Sequence, residues 1–282
     1  MNVLTKAWLV LPLLASLPAG AQWLNYPDPS LPRNPDGTVD LTAPAPRQAD
    51  GHPDLSGVWH VQPTSLEEWR KMLGDRLDGR IEVPGMEIYT VSKYATNLFI
   101  DYPPGEAPIR PEAMEVAKSR GGVTELPSTY CLPLGVPLAT LLSEVTKIVH
   151  SPGLTLILHE IDGIPRKIYT DGRDFPEELS PTWLGSSIGH WEDDTFVVET
   201  RGFNDRSWLD TAAHPRSESM KITERYTRRD VGHMDIEYTF DDPVYYTEPF
   251  SLKVTHLLQP DTDILEYVCN ENEKDIKHMK DE

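Results

Sequence analysis

The chain has 282 residues and a formal net charge of −19, from 45 acidic and 26 basic side chains. So acidic a surface repels nucleic-acid phosphates and anionic lipid headgroups, which excludes nucleic acid as an expected partner and means that an acidic ligand needs a locally basic pocket. Hydrophobic residues make up 39% of the chain, enough for a folded core, and only two cysteines occur.

Lys6 precedes an apolar run from Ala7 to Pro18, and Ala19-Gly20-Ala21 supplies small residues for cleavage. Residues 1–21 therefore read as a signal peptide cleaved near Ala21, which makes the mature chain one charge more negative and places it in the periplasm or outside the cell. The run falls short of the roughly 20 apolar residues a membrane span requires, and no later segment approaches that length, so no membrane span is expected. In an oxidising compartment Cys131 and Cys269 read most simply as one disulfide, since neither has a CxxC or CxxH neighbour.

Residues 22–53 are rich in Pro, Asp and Asn and poor in clustered apolar residues, which predicts an extended Pro-rich arm. A single β-barrel domain is expected over 54–275, followed by a polar tail at 276–282. Its first strand spans 55–61 and carries Gly57-Val58-Trp59, which is similar to the Gly-x-Trp on the opening strand of lipocalin-like barrels. Residues 64–140 read as a partly helical insertion, with helical patterns at 65–73 and 111–120; Ser65 and Glu68 have the spacing of a capping box. From Glu144 onward strand-like runs recur at 144–150, 154–160, 164–170, 185–191, 195–201, 218–229, 233–241, 250–258 and 263–270. The expected fold is mainly β, an antiparallel meander closing into a barrel of about ten strands, within the range of small ligand-holding barrels.

Register follows from the loop Asp230-Val231-Gly232, read as a type I turn with a left-handed glycine. Arg229 then faces His233, and Tyr226, Glu224 and Ile222 pair with Ile236, Tyr238 and Phe240 on one face, together with Met220 and Met234. Glu224 is thus an acid set in an apolar face, either a general acid or base with a raised pKa or a residue satisfied by an Arg or Tyr in a buried network. His256 alternates with Phe250, Leu252, Val254 and Leu258 and joins that interior. The turn at Glu192-Asp193-Asp194 allows two registers; in its three-residue form His190 shares the apolar face with Ile188, Phe196 and Val198. Glu224, His256 and His190 are the candidate catalytic residues.

Tyr226 and Tyr238 are candidates to orient a ligand from inside the barrel. Two polar loops, 170–174 and 204–217, add Asp171, Arg173, Asn204, Asp205 and Trp208 at its mouth. His233, Asp235 and Glu237 share one strand face, but neighbours two apart lie roughly 6.6–6.8 Å from each other along a strand, so they do not converge on one ion, and no metal is expected. No GxSxG, HExxH, P-loop or GxGxxG context is read, so the hydrolase-elbow, zinc-protease, nucleotide and dinucleotide signatures are taken as missing and no cofactor is expected.

The segments TDGR at 170–173, PTWLGSSIGHWEDDTFVVET at 181–200, GFNDRSWLD at 202–210, HMDIEYTFDDP and EYVCNEN resemble a set of uncharacterised exported bacterial proteins with a lipocalin-like (calycin-like) β-barrel. The resemblance covers most of residues 50–275 and implies fold and export, without an activity. The expected function is a cofactor-independent acid-base enzyme, of lyase, hydratase, isomerase or cyclase type, acting on a small partly apolar molecule in the barrel. The alternative is a non-catalytic carrier of a hydrophobic small ligand.

Overall fold

The computed structural model describes residues 26–74, 91–269 and 271; the expected signal peptide and polar tail lie outside them. Nine strands close into a barrel in chain order: β1 Gly57–Val61, β2 Thr146–Ser151, β3 Leu154–His159, β4 Arg166–Tyr169, β5 Ser186–Glu192, β6 Thr195–Arg201, β7 Lys221–Arg228, β8 His233–Asp241 and β9 Phe250–Leu258. The chain is mainly β, as expected, with two departures from an antiparallel meander of ten. First, β4 and β5 pair in parallel, Ile168 with Ser187 and Tyr169 with Ile188, because residues 170–185 carry the chain back before β5 begins. Second, the expected strand at 263–270 does not form over its described residues. β9 pairs with β1 through Trp59–Leu258 and Val61–His256, so the closed sheet offers no edge for another strand.

Residues 263–269 instead run over the outside. Lys147 pairs with Asp263 at 2.6 Å, Leu265 N–H donates to Glu160, and Cys269 is disulfide-bonded to Cys131 with the Cα atoms 5.6 Å apart. The bridge spans 138 positions, so on a chain-entropy account it stabilises the fold by about 5 kcal/mol.

The described part of the arm, 26–53, folds back on itself in tight turns, with Arg33 bridged to Val39 and Arg47 to Pro53, and is fastened to the barrel. Asp28, Asp36, Asp40 and Asp50 each accept the backbone N–H two residues on, a chain of Asx turns that follows from its Asp-x-Ser/Thr/His pattern. Val231 and Gly232 N–H groups donate to Ala43 and Leu41 carbonyls. A Cβ on Gly232 would lie 2.6 Å from that of Leu41, so the glycine serves this close approach and not the left-handed turn position expected of it.

Within the insertion, α1 Leu66–Leu73 starts at Ser65, whose side chain accepts from Glu68 N–H as the capping pattern predicts. Then follow α2 Lys93–Thr96, α3 Pro111–Ser119 with proline in its first turn, and α4 Leu138–Leu141, every residue of which is buried. The 134–141 segment stoppers one end of the barrel, where Thr140 hydrogen-bonds the Tyr238 hydroxyl at 2.8 Å. At the other end the Arg228 guanidinium lies 4.8 Å over the Trp59 ring and donates to the Asp54, Asp230 and Val231 carbonyls. Between these stoppers Trp59, Phe196, Tyr226, Tyr238 and Phe240 are all at most 2% exposed, so the barrel is filled by its own side chains.

Candidate functional site

The β7–β8 register is the one expected, with Tyr226, Glu224 and Ile222 opposite Ile236, Tyr238 and Phe240. Glu224 is 0% exposed and forms a two-pronged ion pair with Arg166 of β4, whose Nη1 donates to Oε1 at 2.9 Å and whose Nη2 donates to Oε2. The Tyr226 hydroxyl donates to Oε1 at 2.7 Å. The remaining Arg166 donors reach Thr200 Oγ1 at 2.8 Å and Ser187 Oγ at 3.3 Å. Burial opposes the Arg166 charge, but Glu224's charge and hydrogen bonds outweigh it, and its pKa is raised. Burial also drives Tyr226 and Tyr238 well above the usual phenol range, with Glu224's charge adding to it. Both Glu224 carboxyl oxygens are thus hydrogen-bonded, the arrangement of a residue satisfied by Arg and Tyr in a buried network.

Ser187 sits at the centre of Gly185-Ser186-Ser187-Ile188-Gly189, which has hydrolase GxSxG spacing. Here it is the second residue of β5, buried and 2.9 Å from Thr200 Oγ1, and the chain continues as a strand, not as the helix of a hydrolase elbow.

His256 lies inside the barrel, 2% exposed, and among the described residues its Nε2 has no hydrogen-bond partner. His159, at the end of β3, is 4% exposed; its Nδ1 meets Thr146 Oγ1 at 3.2 Å and its Nε2 is likewise unpartnered. Both are pushed down to about 3. For His159 burial is the main cause, followed by the charge of Arg166 and then His256; for His256 it is burial, then His60.

His190 is not inside. Glu192 pairs with Thr195, so the turn has two residues, with Asp193 at φ 51, and the strand alternation places His190 outward beside Glu192 at 3.3 Å. Gly189 and Trp191 take the inward positions, and the missing Cβ of Gly189 leaves room for the Phe196 ring. Asp171 and Arg173 form an exposed pair at 2.5 Å, with Arg173 stacked 3.8 Å over Tyr169. His233 is held by Asp230, and Asp235 by Lys253, Arg229 and Thr255. Among the described residues no group of three His, Cys, Asp or Glu could hold a metal ion.

The loop 204–217 gathers more. Asp210 is 0% exposed and accepts from Leu98 N–H at 2.8 Å and from His214 N–H at 3.2 Å, with His214 Nδ1 2.6 Å away. That clamps the loop to the segment after α2. Asn204 contributes its carbonyl to the buried Arg216 Nε, and Arg216 extends its other nitrogens to the Val136 and Trp183 carbonyls at 3.0 and 2.6 Å. Gly135 makes this junction possible: at φ +73, a Cβ there would lie 2.9 Å from the Trp183 carbonyl oxygen.

Around this junction opens a groove of about 570 Å³, lined among others by Arg120, Tyr130, Trp183, Arg206 and Trp208. Arg206 lies 4.8 Å over the Trp183 ring, and Arg120 lies 5.6 Å over that of Trp208. Arg120 also donates to the Ala213 and Asp205 carbonyls, which fixes the loop against the end of α3. Of the ligand-orienting candidates, Trp208 lines the groove, Asn204 and Asp205 support it through backbone carbonyls, and Tyr226 and Tyr238 lie in the barrel interior.

Arg166 and His159 were legible in part. Arg166 alternates inward with Ile168, but β3 is apolar on both faces (Leu154, Leu156 and Leu158 against Thr155 and Ile157), so alternation gives His159 no preferred side. Arg120, Tyr130 and Trp183 carry no local signal, because tertiary packing of three separate segments brings them together. No protein-family model, curated protein or solved structure matches the chain.

Proposed function

We propose that the protein is an exported, non-catalytic binder of a small, partly apolar molecule, held in the groove between residues 119–132 and the 183–208 region and not inside the barrel. The observation that carries this reading is the pair of Trp–Arg stacks lining an open groove while the barrel interior is filled. The partly exposed Trp183 indole supplies apolar area at low conformational cost with the exposed Arg206 guanidinium beside it, while the buried Trp208 and half-buried Arg120 form the wall behind. The Cys131–Cys269 disulfide and the leader-like residues 1–21 support export.

In calorimetric titrations with the planar probes 2-naphthoate and 2-naphthamide, we expect saturable binding of at least one. Trp183→Ala should weaken it about 5–30-fold, as loss of one stacking face predicts. Absence of binding by both probes, or affinity indifferent to Trp183→Ala, rejects the groove as the site.

Acid-base catalysis inside the barrel is the second reading, favoured by the buried Nε2 atoms of His159 and His256, which have no hydrogen-bond partner among the described residues and whose rings burial holds neutral. The two readings separate on the natural ligand, released by denaturation from protein purified from its own host and identified by mass. On the binding reading this molecule is recovered unchanged after prolonged incubation with fresh protein. Conversion that disappears in His256→Asn would establish the enzyme instead.

A further inference from the structure

The groove has a charge character opposite to that of the chain. Arg120 and Arg206 line it, and Arg216 lies directly behind the wall with 0% exposure; among the described residues none of the three forms an ion pair. Arg216 is held entirely by carbonyl oxygens and the Phe203 ring, 4.4 Å from its guanidinium carbon. Burial pulls its pKa down to about 9, and the neighbouring positive charge of Arg120 adds to that. Arg120 is lowered as well, chiefly by burial. The charges of Asp205 and Asp210 act on Arg120 from a distance and partly offset its burial, so the cationic side of the site has acidic neighbours but, among the described residues, no carboxylate paired directly with its guanidinium groups.

Among the described residues three carboxylates are nearby, and Asp210 is taken up by His214 and the Leu98 N–H. Glu125 lines the groove, but its Oε2 accepts the Tyr130 hydroxyl at 2.8 Å, and Asp205 is exposed and meets Arg120 through its backbone carbonyl. Arg206 is exposed and makes no side-chain hydrogen bond among the described residues beyond its stack on Trp183, so its forked donors face solvent over an aromatic floor. That arrangement matches a flat apolar ring bearing an anionic edge: the ring lies against indole, and the carboxylate takes paired N–H donors from guanidinium.

We infer that the groove is selective for aromatic carboxylates over neutral aromatics of the same shape. This rests on the groove being the binding site proposed above. Elsewhere the excess of acidic groups discourages anions, so the selectivity is local to these arginines.

The test compares 2-naphthoate with its neutral isostere 2-naphthamide by calorimetry at pH 7 on the full mature chain. Naphthoate is expected to bind at least 10-fold more tightly. In Arg206→Gln the ratio should fall below about 3-fold, whereas Arg47→Gln, an exposed arginine on the arm paired with Asp194, should leave it unchanged. Equal affinity of the two probes in the wild type, or a ratio unmoved by Arg206→Gln, overturns the anion preference while leaving the groove as a binding site. Failure of both probes to bind rejects the groove itself, and the inference falls with it.

Discussion

Replacing Arg166 with Met is expected to destabilise the fold by about 3–5 kcal/mol, the cost of leaving one member of a buried ion pair without its countercharge. Glu224 would keep the Tyr226 hydroxyl, but at 0% exposure no water compensates for the lost guanidinium. Glu224→Leu should cost a similar amount for the converse reason, since Arg166 is 1% exposed and would retain only Thr200 and Ser187. The double variant Arg166→Met/Glu224→Leu removes both desolvation penalties and is expected to recover most of the loss. Urea unfolding of the four proteins gives the coupling directly; single losses below about 1 kcal/mol, or a double variant as unstable as the two losses added, would show that the pair is not the electrostatic unit its geometry describes. The folded double variant should also keep wild-type affinity for 2-naphthoate, because the pair lies inside the barrel and the groove outside it.

That pair shows how far the sequence could be read. The length of the Asp230-Val231-Gly232 loop led to the right β7–β8 register although Gly232 is not left-handed as the turn reading required, and two-residue alternation then placed Glu224 inside. Its partner lies 58 positions away on a strand four residues long, too short for periodicity to identify. Glu192-Asp193-Asp194 went the other way: acidic residues satisfy either turn length, and a shift of one residue carried His190 to solvent. The segment 263–270 has the composition of a strand, but strand formation needs an edge, and barrel closure between β9 and β1 is a global event that local composition does not record. The 204–217 loop, with its Arg206 and Arg216, stood out as a ligand-facing element from composition alone, while Arg120 became visible only when α3 and the loop were brought together.

Acid is expected to unfold the protein from within the barrel before most carboxylates titrate. His159 and His256 have folded pKa values of about 3, below the roughly 6.5 of an exposed histidine, so between these limits the unfolded chain binds more protons than the native one. Stability is therefore fully present above about pH 6.5 and declines as pH falls toward 3. Each histidine contributes about 1.4 kcal/mol per pH unit, so at pH 4.5 the pair has withdrawn roughly 5 kcal/mol, comparable with the whole stability of many domains. His150, lowered chiefly by burial, acts in the same direction. Carboxylates whose pKa values are lowered, Asp101 and Asp235 among them, withdraw their stabilisation mainly below this window, as pH falls from about 4. Urea unfolding at pH 7.0 and 4.5 isolates the histidine contribution if the wild type is compared with His159→Leu/His256→Leu. These replacements remove two Nε2 atoms that have no hydrogen-bond partner among the described residues and cost only the Thr146 contact of His159. They should remove most of the loss of stability on going from pH 7.0 to 4.5, leaving the contribution of His150 and the opposing one of Glu144 and Asp162, whose burial raises their pKa values so that they add stability as pH falls. A wild-type pH dependence that survives intact in the double variant would place the acid sensitivity elsewhere and leave the two histidines electrostatically silent.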